Sequence, residues 1–424
     1  MSDTVTAIGI LIIAAGLGMF ALAFFLYYPL VPIGLALVIF VLDAVLLNGL
    51  PFIQLGRFKI NLLDALSALV IVSAVVRLVL NTSRLNGYTL LLLALGGLLM
   101  ISLMRGIGRF GVETAVVYLR PYLYFYSAAL MAGTIQYNQQ LLHRFIYWWG
   151  WAAWLLIGLA VIRWFMVAFG LFQYPAWIAS SGLMTRVISA SSTLFLLQTF
   201  IFSWILGKQN NVLPFRRFVP FIMIPAIIIL QHRTVWVIFF FILLCIFLVE
   251  RRVRSLFVIT SLVIGLIGVL ALLVFWGSPL LDSLADSAQN SKTFDWRVAG
   301  WVALLSPARF YNVIDYAIGQ PFGTGYERYL FGSIYATTYS PHNFYVQTFL
   351  NIGGIGLISL LLIYLGALGS LIAKRQDGLL LTFALMLITQ LLYLITYNPS
   401  YEQGLLLGFA ILIATNKKSS LATT

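Results

Sequence analysis

The chain has 424 residues, of which 62% are hydrophobic and only 9% charged, with a formal net charge of +13. Globular chains average roughly 45–50% apolar and about 25% charged, so tandem soluble domains, disorder and collagen-like structure are excluded. The single cysteine, Cys245, excludes an intramolecular disulfide scaffold, and the positive balance follows from Lys and Arg gathering in cytoplasmic loops, with no nucleic-acid partner required.

A membrane span needs about 20 apolar residues, because the hydrocarbon core is about 30 Å thick and a helix rises about 1.5 Å per residue. In chain order the apolar runs are 7–28, 30–50, 62–81, 88–104, 112–131, 145–170, 184–206, 218–230, 235–249, 256–276, 344–373, 379–396 and 401–414. No Lys or Arg precedes the first run, so it is expected to stay as a helix and not be cleaved as a signal peptide. The two runs flanking 231–234 are short and call for tilt or local thinning of the bilayer. The expectation is an all-α polytopic membrane protein with twelve or thirteen transmembrane helices. One integrated domain is expected: a bundle over 1–276, a large loop over 277–341, and C-terminal helices over 342–424.

Charges orient the C-terminal half. Lys208, Arg216 and Arg217 share one loop, Arg251, Arg252 and Arg254 another, and Lys374, Arg375, Lys417 and Lys418 fall on the same side. That side is the cytoplasm. The segment 171–183, the turn 231–234 and the loop 277–341 are then external. Arg57, Lys59, Arg105 and Arg109 also read as cytoplasmic, which thirteen simple spans do not allow. One early segment is therefore expected to be interfacial or re-entrant. The loop holds Asp282, Asp286, Asp295, Asp315 and Glu327 of the twelve acids. A loop of this length usually carries function. Within it WRVAGWVALL, 296–305, reads as a short amphipathic helix and GQPFGTG, 319–325, as a turn cluster.

The sequence contains no P-loop, no H-E-x-x-H or Cys/His cluster, and no D-x-D pair. Asp282 and Asp286, at helical i,i+4 spacing, read as a solvated face. Four residues remain. Arg233 lies in a turn between apolar runs, where a charge at membrane depth costs about 2.5–3.5 kcal/mol and calls for a partner or a purpose; the bland alternative is snorkelling to headgroups. Arg297 follows Asp295, and a local ion pair with Asp295 or Glu327 is its alternative. Arg186 opens the run 184–206 on the external side, where an interfacial anchor is the alternative. His342 stands where the long loop re-enters the membrane, and a capped, satisfied histidine is the commoner case. All four fall on the external face. Three guanidiniums around one histidine suit a polyanion, since the rigid fork binds phosphate bidentately, and the histidine suits a general base. With no ATP outside the cytoplasm, the donor must arrive activated, and a lipid diphosphate fits.

QHRTVW (231–236), DWRVAGW (295–301), PFGTGYER (321–328) and PHNFYVQTFLNIGGIGL (341–357) resemble, in order and spacing, the O-antigen ligase and polymerase superfamily of bacterial envelope enzymes. The resemblance covers the C-terminal half; the N-terminal half is similar only as a string of helices, with one span more than twelve-helix ligases, and Arg186 is a looser match. It implies a membrane glycosyltransferase (GT-C-like) fold with a large periplasmic loop in the bacterial inner membrane. It also implies metal-independent transfer of an undecaprenyl-diphosphate-linked oligosaccharide, without cofactor, to lipid A–core (ligase) or to another lipid-linked glycan (polymerase). A polymerase would work with a chain-length regulator. By resemblance Arg233 and Arg297 hold the diphosphate and His342 activates the acceptor hydroxyl. Arg186, Asp295, Gly323, Gly325 and Asn343 are the candidate substrate-binding residues. The rival reading is a transporter or flippase of lipid-linked sugars, favoured by an ionisable Asp43 inside a span. A channel or scaffold is the third.

Overall fold

The computed structural model describes residues 16, 18–46, 51–55, 58–81, 85–171, 186–206, 213–249, 292–310, 312–331, 335–373 and 377–416. The expected span 256–276, the acids Asp282 and Asp286, and most of 171–183 lie outside the described residues. The chain divides into two compact units, Met1–Trp149 with Gly300–Thr424, and Gly150–Ala299.

The helices of the first unit are α1 (Gly18–Tyr27), α2 (Leu30–Val45), α3 (Leu62–Leu80), α4 (Gly87–Phe110) and α5 (Val112–Thr134), then the start of α6 (Gln139–Ala168). After Gly300 come the end of α10 (Lys292–Leu304), α11 (Val313–Ile318), α12 (Phe344–Ile372), α13 (Gly378–Tyr393) and α14 (Tyr401–Thr415). The second unit holds the rest of α6, then α7 (Ala190–Leu206), α8 (Val219–Ile229) and α9 (Arg233–Val249). The one sheet among the described residues is a hairpin, β1 (Phe52–Leu55) with β2 (Phe58–Asn61), antiparallel with Gln54 opposite Lys59. The fold is all-α and polytopic. Among the described residues four helices, α3, α4, α6 and α12, are each long and apolar enough to cross a membrane, and α1 with α2 makes a fifth if that pair counts as one span. Several other expected spans form shorter helices, α8 with only 11 residues.

The bend between α1 and α2 is 110°, and it falls at Tyr28-Pro29, where proline cannot donate to the preceding turn. Caps set the other starts. Asn61 and Asp64 form a capping box at α3, and Asn86 accepts from the Thr89 N–H at α4 (2.9 Å). Ser189 Oγ accepts from the Ser192 N–H (3.1 Å), so α7 begins at Ala190. Arg186 therefore precedes the helix; it does not open it, because the serine run supplies a cap three residues later, at Ser189.

Close packing comes from small residues. Gly404 and Gly408 place α14 against the backbone of α5 at Phe125 and Ala129, with no room for a Cβ. This four-residue spacing of small residues is a common device for bringing membrane helices together. The outer face of α12 shows Ile355, Ile358, Leu362 and Leu365 exposed. An apolar stripe of that kind faces lipid.

Helix directions give the first unit two ends. Tyr88 Oη meets Ser370 Oγ (2.9 Å), so α4 starts where α12 finishes. Arg105 near the end of α4 pairs with Asp315 (2.8 Å) and donates to the Gly319 carbonyl (2.7 Å). Asp64, in the first turn of α3, pairs with Arg120 (2.9 Å) and accepts from the Tyr124 hydroxyl (2.7 Å) of α5. The Tyr122 ring packs on Phe344 at the start of α12. Lys59, Arg105, Asp315 and His342 thus share one end, called here the loop end. This corrects the assignment of Lys59 and Arg105 to the side opposite the loop. Lys59 lies over the Phe52 ring at 4.9 Å and Arg105 is committed to Asp315. A charge with a local partner does not report on the bilayer.

Candidate functional site

His342 occupies the turn before α12 and is partly exposed. Its φ is +49°, a left-handed conformation that costs a non-glycine residue of order 1–3 kcal/mol. Neighbours on both sides hold it. Trp301 of α10 donates its indole N–H to the Pro341 carbonyl (2.6 Å). The Phe344 N–H donates to the Leu394 carbonyl at the end of α13 (2.9 Å). Asn343 caps α12, its Oδ1 accepting from the Val346 N–H (3.0 Å). The geometry gives Asn343 a positioning part in the turn.

Below this turn, α12 carries a buried polar column. Gln347 has a buried Oε1 without a hydrogen-bond partner among the described residues. One turn on, Asn351 donates to the phenol oxygens of Tyr122 (3.1 Å) and Tyr326 (3.0 Å). Tyr326 belongs to the loop, where it packs with Leu304, Phe310 and Leu350 as a small core beneath the segment.

The glycine turn is a packed one. Gly323 has φ +104° and its missing Cβ leaves room for the Phe110 ring. Gly325, at φ +83°, faces the Tyr118 hydroxyl. Thr324 donates its hydroxyl to the Pro321 carbonyl (2.7 Å). Two arginines fasten the segment that follows. Arg309 donates to the carbonyls of Glu327 (2.9 Å) and Gly325, and Arg328 to those of Tyr326 (2.9 Å) and Tyr339 (2.8 Å). Burial first, and the neighbouring Arg309 second, lower Arg328 from the usual arginine value.

In the second unit the QHRT segment joins α8 to α9. Gln231 is fully buried at φ +53°. Arg186 lays Nε (3.2 Å) and Nη2 (3.0 Å) on its carbonyl. His232 donates from Nε2 to the Ile188 carbonyl (2.9 Å), and the carbonyl acceptor fixes that tautomer. Arg163 of α6, 4% exposed, donates to the Val187 carbonyl (2.7 Å). Arg233 is the first residue of α9, where the open amide N–H groups of a helix start favour an anion. Arg297 is partly exposed in α10, and Asp295 is exposed in its first turn, where a carboxylate suits the helix dipole.

Of the residues singled out in the sequence, Arg186 and Arg233 are brought together on the 186–189 and 231–233 segments. His342, Asn343, Gly323 and Gly325 are brought together at the loop end of the other unit. Trp301, Arg163, His232, Arg309, Arg328 and Gln347 were missed. A charge within an apolar run marks Arg163, and the WRVAGW motif contains Trp301. The carbonyl contacts of His232 and Arg328 have no sequence signal.

Residues 218–361 match the family model described as O-antigen ligase. The matched stretch contains Arg233, Arg297, Gly323, Gly325, His342 and Asn343, and Arg186 precedes it. A comparison with curated proteins finds no match. The match bears out the resemblance carried by the four sequence pieces.

Proposed function

We propose that the chain, whose residues 218–361 match the family model described as O-antigen ligase, is a membrane glycan-transferring enzyme that moves an oligosaccharide from undecaprenyl diphosphate to a glycan acceptor on the periplasmic face of the bacterial inner membrane. The observation that carries this reading is His342, held at φ +49° between the Trp301 and Leu394 contacts. Strain fixed from both sides is a feature of functional turns. The acceptor hydroxyl oxygen forms a bond to the anomeric carbon, and its proton passes to the His342 imidazole. The bond from that carbon to the diphosphate breaks, and undecaprenyl diphosphate leaves with the electron pair. On the sequence resemblance alone, Arg233 and Arg297 are the residues proposed to oppose the charge on the leaving diphosphate. No step needs a metal or cofactor. Lipid A–core makes the enzyme a ligase, and a second lipid-linked glycan makes it a polymerase.

A transporter of lipid-linked sugars is the second reading, favoured by Glu402. This carboxyl is 1% exposed, its Oε2 has no hydrogen-bond partner among the described residues, and Asp43 of α2 acts on it electrostatically. One reconstituted assay separates the two. Purified protein in liposomes with lipid-linked donor and acceptor should yield transferred product, and His342→Ala should cut turnover by ~10²–10⁴ with the elution profile unchanged. Wild-type turnover in His342→Ala removes the histidine from the chemistry. Movement of donor across the bilayer with no product supports transport.

A further inference from the structure

At the end of the first unit away from His342, α1 stops at Tyr27 and α2 turns off by 110°. Against this break lies an open cavity of about 680 Å³, lined among others by Tyr27, Arg77, Asn81, Gln136, Tyr137 and Asn138. Small-molecule sites commonly measure roughly 300–1,000 Å³. Arg77 sits in the last turn of α3, only 8% exposed, with one Nη donating to the Phe25 carbonyl where α1 ends. A guanidinium buried at a membrane helix end is costly to keep without a function. Around it the cavity offers amides and two phenols, Tyr27 and Tyr137, which are neutral donors. Among the described lining residues none is acidic. Asp377 acts electrostatically on Tyr137, and its Oδ1 accepts from the Leu379 N–H at the start of α13 (2.8 Å). Among the described lining residues, a cation set beside neutral donors is a setting for an oxyanion.

The surroundings name the kind of oxyanion. Phe20, Phe24 and Tyr27 of α1 and Tyr28 just after it form a ladder, with ring centroids 6.2, 5.0 and 5.2 Å apart, and Tyr27 is 81% exposed. Aromatic side chains of this kind sit at the headgroup level of a bilayer. Val79 and Leu80 stand exposed beside Arg77 and Asn81, an apolar wall against which acyl chains can lie. The cavity is at the end of the unit that carries the α12–α13 connection, where the sequence places Lys374 and Arg375 toward the cytoplasm and its anionic leaflet. A soluble anion would use Arg77 and ignore the ladder; a phospholipid uses both. We propose that this cavity seats the phosphodiester headgroup of an anionic phospholipid, with Arg77 on the phosphate and the lipid tying α1 to α3 across the break.

The test uses the purified full chain in detergent, titrated with phosphatidylglycerol, phosphatidylcholine or inorganic phosphate, with bound lipid counted by native mass spectrometry and melting followed in parallel. Phosphatidylglycerol should be retained and raise the melting temperature, while phosphatidylcholine and phosphate should not. Arg77→Leu should weaken phosphatidylglycerol binding roughly tenfold or more, the scale of losing a hydrogen bond to a charged group. Gln136→Leu, at an exposed lining position, should weaken it about threefold. If Arg77→Leu fails to fold, Gln136→Leu decides. Equal retention of both lipids overturns the proposal, as does unchanged binding in the folded variants. Protection by inorganic phosphate equal to that by phosphatidylglycerol assigns the cavity to a soluble anion and overturns the lipid.

Discussion

His232 and His342 both lie in strained turns, and their surroundings give them different work. His342 is partly exposed at the mouth of a polar column, whereas His232 is buried with its Nε2 proton on the Ile188 carbonyl. Burial above all, and Arg186 beside it, bring His232 down to about 4, against the opposing pull of that hydrogen bond. The folded protein therefore keeps this ring neutral. An unfolded histidine titrates near 6.5, so acid favours the unfolded chain between those values. The contribution is whole above pH ~6.5, declines as pH falls, and is gone below about 4; its full size is about 3 kcal/mol. Melting in detergent should therefore drop more for the wild type than for His232→Gln when pH is lowered from about 7.5 to about 5. Equal drops would mean the ring is protonated or exposed in the fold. Sequence reasoning picked His342 because it stands where a polar loop meets an apolar run. It passed over His232, since the burial of His232 is made by residues some 45 positions earlier.

α12 shows how an element can hide its own break. The hydropathy of Phe344–Ile372 runs unbroken, and the expected span over 344–373 formed as a 29-residue helix. Inside it Gly353 has φ +70°, and a Cβ there would strike the Ala317 carbonyl, while one on Gly319 would strike Asn351 and Ile352. Two glycine backbones cross at this point, and the Gln320 N–H reaches the Leu350 carbonyl (2.6 Å) to close the crossing. The GQPFGTG run was legible as a turn, but nothing in the local pattern says what the turn leans on. Gly353→Ala should destabilise the protein by on the order of 3 kcal/mol or more, through backbone strain and collision together. Gly369→Ala, in the same helix with open space around its Cβ, should be neutral or stabilising by up to about 1 kcal/mol. The readout is the melting temperature and monodisperse yield of each in detergent. Similar behaviour of the two variants would mean the crossing is not what holds the loop end together.

At the scale of the whole molecule, composition alone made the membrane class legible, because an apolar chain of this length has no soluble solution. Its topology was legible only where charges are free to answer to the bilayer. The Lys374 and Lys417 groups follow α12 and α14, both of which end away from His342. The N-terminal count failed because Arg105 is held by Asp315 and Gly319, and Lys59 by the hairpin and the Phe52 ring. A paired cation loses most of its preference for one side, so a count that weighs all cations equally miscounts here. The last prediction follows from that ion pair. With Cys245 replaced by Ala, cysteines at Lys59 and Tyr335 should react with an impermeant thiol reagent in intact spheroplasts, both positions being exposed on the loop end. A cysteine at Gln140, exposed at the opposite end, should react only after lysis. Opposite behaviour of Lys59→Cys and Tyr335→Cys would break the shared loop end. Protection of both, with Gln140→Cys labelled, would keep the fold but turn His342 toward the cytoplasm, where a lipid-linked donor on the outer face could not reach it.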